Sequence, residues 1–138
     1  MSLDLSTNKR NRSAEEQGTW MEFDEDVRFL VARKSNPEYK AFVSKEYRKN
    51  EVLLNSKVAG KQATEKSEAI MLEAIAKYIL KDWEGITDNG TPVKYDSDLG
   101  MVFLDEHDDI REAIEEYADN RDNYLAEAEQ KDAKNLKK

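Results

Sequence analysis

From Ile70 to Leu80 the only charged residues are Glu73 and Lys77, and Lys81 continues their spacing of four. A helix over this stretch offers water one narrow stripe and is apolar everywhere else. Such a cylinder must be covered by other elements on most of its circumference, so it belongs at the centre of a fold. The pattern predicts a central helix from about Thr64 to Trp83. It stops at Asp82-Trp83-Glu84-Gly85 and feeds a turn-rich loop, Asp88-Asn89-Gly90-Thr91-Pro92. The segment from Trp83 to Gly100 holds no nucleophile with a base beside it and no glycine-rich phosphate cradle, which points to binding surface rather than catalysis.

A chain of 138 residues has room for one domain with a modest core. The absence of cysteine removes disulfides, thiolate metal sites and cysteine nucleophiles together, and a reducing cytosol is the simplest compartment. No catalytic residue, cofactor or metal is expected. A single histidine, His107, leaves no multi-histidine site. The carboxylates Asp105, Asp108 and Asp109 around it read as helix-start acids favoured by the helix dipole. Asp96 and Asp98 begin like a calcium loop, but Gly100 and His107 occupy positions where oxygen ligands belong. The net charge of −8 argues against nucleic acid, whose binding rests on neutralising phosphates. No segment reaches the length of a membrane span, and the N-terminus has no signal-like apolar region. Partners are therefore expected to be proteins.

Residues 1–17 are polar and read as a disordered arm, residues 18–126 as a single domain, and residues 127–138 as a flexible tail. Thr19 to Phe23 and Val27 to Arg33, rich in aromatic and β-branched residues, flank Asp24-Glu25-Asp26 and predict a hairpin. Two strands alone leave unpaired edges, so a second copy could supply a third strand. Ser35-Asn36-Pro37-Glu38 is a helix start, with Ser35 as cap and Glu38 closing a capping box. Tyr39, Phe42, Val43 and Tyr47 then share one face of that helix. Val52-Leu53-Leu54 extends it or follows it. Ser97 or Asp98 opens a short helix with Leu99, Val102, Phe103 and Leu104, and Asp105 or Asp108 caps a final helix with an acidic outer surface. The expected fold is mainly α: a small helical domain of three main helices with a short N-terminal β-hairpin.

Trp20 and Trp83 each flank an apolar run and read either as interface anchors or as core plugs. Phe29 lies on the hairpin, and Tyr117 and Tyr124 break an acidic helix. These five, Trp20, Phe29, Trp83, Tyr117 and Tyr124, are the candidate partner-binding residues.

The order of parts resembles the tail assembly chaperones of long-tailed phages and prophages. The resemblance rests on Gly18-Thr19-Trp20 with Phe23-Asp24, on Ala32-Arg33 and Asn36-Pro37-Glu38-Tyr39-Lys40, and on a middle helix ending in Leu80-x-x-Trp83-x-Gly85. Asn89-Gly90-x-Pro92-Val93-x-Tyr95 and a final helix with Ile110, Ile114 and Ala118 complete it. It spans roughly residues 18–125. It implies a non-enzymatic assembly factor of the host cytoplasm, absent from the mature virion, that binds the tape-measure protein and helps recruit tail-tube protein. Many members of that family are also made in a longer frameshifted form. Homo-oligomers are compatible with such a role, and no catalytic residues carry over. Two other classes compete: a virion structural or head-to-tail connector protein, and a small carboxylate enzyme with a bound metal.

Overall fold

The computed structural model describes residues 4–7 and 9–125. The order of elements is helix α1 (Arg12–Gln17), strands β1 (Thr19–Asp24) and β2 (Val27–Val31), and helices α2 (Pro37–Lys49), α3 (Glu51–Leu54) and α4 (Gly60–Ala74). A π-helical turn (Ile75–Ile79) leads into strand β3 (Leu80–Glu84) and a small hairpin of β4 (Thr87–Asp88) and β5 (Thr91–Pro92). Helices α5 (Ser97–Glu106) and α6 (Asp108–Asp119) and a 3₁₀ turn (Arg121–Tyr124) follow. Strands β1, β2 and β3 form one antiparallel sheet in that order, and β4 pairs with β5. This overturns the expected mainly α class with three main helices. The described residues form a mixed α/β fold with six α-helices and two antiparallel sheets.

The added strand arises at the end of the apolar run. Val31 pairs with Leu80 and Leu30 with Asp82, which leaves Lys81 as the extra residue of a β-bulge. The bulge resets the alternation of the strand, so Leu80 and Trp83, three apart, both turn into the core opposite Val31 and Phe29. A spacing of three is also what a helix shows on one face. The helix itself ends through the π-turn, where Ile75, Ala76 and Ile79 are all buried. The third strand thus comes from the chain's own β3. The expected pairing of the hairpin with a second copy loses its motive at the β2 edge, which is already filled.

The hairpin lies where it was expected, with Glu25 and Asp26 in the turn, and Phe29 and Val31 make its inward face at zero exposure. Asn36, not Ser35, caps α2: its side chain accepts the Tyr39 N–H at 2.9 Å, with Pro37 at the first helical position. Asp96 caps α5 by accepting the Leu99 N–H at 2.9 Å. Asn89 and Gly90, both at positive φ, turn the β4–β5 hairpin. Ile79, Leu80, Leu104 and Ile114 join the sheet's inner face in one core, against which Phe42, Tyr78, Tyr95 and Phe103 pack partly buried.

Residues 12–17, expected within a disordered arm, form α1 instead. Asn11 caps it, accepting the Ala14 N–H at 3.1 Å. The Glu15 backbone carbonyl accepts the Arg33 N–H at 2.8 Å, which ties α1 to the segment after β2. Ser35, displaced from the cap of α2, donates its hydroxyl to Glu15 at 3.0 Å. The expected tail, residues 127–138, lies outside the described residues.

Candidate functional site

Three of the five candidate partner-binding residues are closed to a partner in this fold. Phe29 and Tyr124 have no exposure and Trp83 has 6%. Phe29 and Trp83 pair across β2 and β3, and Phe103 of α5 packs on both rings. Trp83 also donates its indole N–H to the Val93 carbonyl at 2.8 Å and meets Tyr95 edge-on, so it staples the β4–β5 hairpin to the sheet. Tyr124 packs edge-on against Tyr117 and donates its hydroxyl to Val31. Their rings pack in the core with Ile79, Leu80, Leu104 and Ile114 rather than facing solvent. Trp20 and Tyr117 are half-buried. The Arg28 guanidinium lies 4.0 Å over the Trp20 ring, and the Tyr117 hydroxyl bonds Thr19 at 2.7 Å and the Trp20 carbonyl at 3.3 Å.

Accessible apolar surface lies elsewhere. An open groove of about 490 Å³ runs between α2 and the π-turn, lined by Glu38, Ala41, Phe42, Lys45 and Tyr78. Phe42 and Tyr78 set their rings 5.3 Å apart along it, and the Lys77 ammonium stands 5.7 Å from the Phe42 ring, held there by Glu73 at 2.7 Å. Phe42 reaches this place because α2 turns Tyr39 fully inward and leaves the next turn at the rim. Two further patches are exposed: Val52 and Val58 at the far end of the helical hairpin made by α2, α3 and α4, and Leu99 and Val102 on α5. The sequence signals the apolar character of these residues. It does not signal that they fall outside the core, because the period of α5 also contains Phe103 and Leu104.

Charge is separated along the chain. Residues 48–61 carry Arg48, Lys49, Lys57 and Lys61 against Glu51 alone, whereas residues 96–119 carry ten carboxylates and one arginine, Arg111. The acidic field of α6 reaches inward. Burial first, and then the charges of Glu115 and Asp119, push the Tyr39 hydroxyl up to about 12. Lys34 offsets part of that field, with its ammonium 3.6 Å from Glu115 and 3.5 Å from Asp119. Among the described residues no group of three or more histidine, cysteine, aspartate or glutamate side chains converges as a metal site would require. His107 packs its ring against Phe103 instead. Among the described residues no helix is long and apolar enough to cross a membrane.

The fold and its surface define a small mixed α/β protein whose accessible features are apolar patches edged by charge. Residues 35–135 match the model of a family described as YdaY prophage protein, and the chain belongs to that family. The match takes in every element from α2 onward and leaves the β1–β2 hairpin outside it. No curated protein and no solved structure matches the chain.

Proposed function

We propose that this prophage protein is a non-catalytic tail assembly chaperone that binds the tape-measure protein and helps recruit tail-tube protein, acting in the host cytoplasm. The observation that supports the reading is the shallow, open depression between α2 and the π-turn, where Phe42 and Tyr78 lie side by side with Glu38 and Lys45 at the edges. A helical partner laid across such a face would find two aromatic anchors with charges beside them. The sequence resemblance to tail assembly chaperones and the prophage family are consistent with it. Each contact would be modest, because a coat displaced later by tube subunits cannot be held by interfaces of the permanent kind, and many copies on one chain still give strong coverage.

Co-expression with the tape-measure protein of the same prophage tests the reading. The expected result is a tape-measure protein that stays soluble and co-purifies with this chain, with loss of both on Phe42→Ala/Tyr78→Ala. A tape-measure protein equally soluble with and without the chain, and no co-purification, would reject the chaperone. Recovery of the chain in purified particles would promote the virion structural or connector alternative.

A further inference from the structure

We infer that copies of this chain join head to tail, with the tip of the helical hairpin of one copy seated on the α5 face of the next. On the tip, Val58 is 100% and Val52 89% exposed, and Leu53 and Ala59 line a shallow depression of about 420 Å³ beside them. Lys49 lines it too, and Lys57 and Lys61 are exposed close by in the chain. On α5, Leu99 is 41% and Val102 64% exposed. Asp98, Asp105 and Glu106, at helical spacing from these two, are exposed on the same side. The exposed charges beside the two apolar pairs differ in prevailing sign, basic at the tip, where Glu51 is the one acid of residues 48–61, and acidic along α5.

These patches are separate on one molecule. Helix α4 runs 15 residues from the tip to the π-turn, and α5 packs on both α4 and that turn. At about 1.5 Å per residue that is a rigid rod of roughly 20 Å. Both patches are exposed in the folded chain, so neither covers the other, and complementarity is satisfied only by a second copy. Because the two patches differ, the contact is heterologous: it leaves a free tip at one end and a free α5 face at the other, so growth continues beyond two. Val102 and Leu99 would enter the tip depression, while Lys57 and Lys61 meet Asp105 and Glu106 at the rim. Apolar contact supplies the cohesion and charge the direction and pairing. Association of this kind needs only copies of this chain and is independent of any tape-measure partner.

Sedimentation velocity on the full chain tests it. At about 100 µM and low salt the weight-average mass should rise with concentration without stopping at a dimer, and fall as salt rises. Val58→Glu and Val102→Lys, both at exposed sites where folding is undisturbed, should each weaken association by about tenfold or more. Mixed together, the two variants should form a dimer and nothing larger, since each retains the patch that the other lacks. Lys57→Glu/Lys61→Glu should likewise recover association only with Asp105→Lys/Glu106→Lys. A strictly monomeric parent, a closed dimer, or variants that associate as the parent does would each overturn the proposal.

Discussion

Tyr124 donates its buried hydroxyl to the Val31 carbonyl at 3.1 Å, joining the last described turn of the chain to the middle strand of the sheet, 93 positions earlier. The ring fills the space beside Tyr117. Burial, above all, raises the hydroxyl's pKa well beyond the ordinary tyrosine value. One side chain thus closes the sheet, through its ring more than through its hydrogen bond.

Tyr124→Phe should therefore cost about 1 kcal/mol and Tyr124→Ala about 3–5 kcal/mol. Urea unfolding of the two variants measures the difference. Equal losses would mean that the hydroxyl, and not the ring, holds this end of the chain.

Glu15 predicts a pH dependence. Its carboxylate is nearly inaccessible, and Arg10 donates to both oxygens at 2.6 and 3.1 Å while Arg33 and Ser35 donate at 3.2 and 3.0 Å. The Arg10 hydrogen bonds, more than any other influence, lower its pKa from 4.5 to about 2. A pKa depressed by folding stabilises the native state above the unfolded value, and that stabilisation fades as pH falls through the folded value. Glu15→Gln should cost about 2–3 kcal/mol at neutral pH, the gap from the parent narrowing below about pH 4.5 and closing near pH 2. Parallel unfolding curves across that window provide the check.

Gly85 sits at φ +89, and a Cβ there would land on the Asp26 carbonyl oxygen, which is backbone and cannot move aside. Gly85→Ala should cost more than about 3 kcal/mol, from backbone strain and the clash together. Gly60→Ala is the control. A Cβ at that position meets nothing within 4 Å at the start of α4, so a gain of about 0.5–1 kcal/mol is expected. Thermal melts of both variants should move in opposite directions.

Ile79 closes the π-turn with no exposure, packed in the core beside Leu80. Ile79→Asp would bury a carboxylate without a partner and should cost several kcal/mol, enough to unfold a domain of this size. A circular dichroism melt that matches the parent would contradict the central place given to this turn.

The sequence by itself determined the elements whose signals are local. The hairpin from Thr19 to Val31 follows from alternation about an acidic turn, α2 from the start signal Ser35-Asn36-Pro37-Glu38, though not which of its residues caps, the β4–β5 turn from Asn89-Gly90, and α6 from its apolar period. It also fixed the apolar character of Ile70 to Leu80. Tertiary structure decided where that run stops being a helix. Leu80 and Trp83 carry a spacing that suits either a helix face or a bulged strand, and only the free edge of β2 selects the strand. The order of α1 depends likewise on Arg33 and Ser35 reaching Glu15 from the far side of the hairpin. The same holds for the binding surface. Phe29, Trp83 and Tyr124 have the residue types of interface anchors and are taken up by the core, whereas Val52, Val58 and Val102 look like core and are left outside. Hydrophobicity specifies that a side chain seeks cover, and which neighbour covers it is set by contacts between segments far apart in the chain.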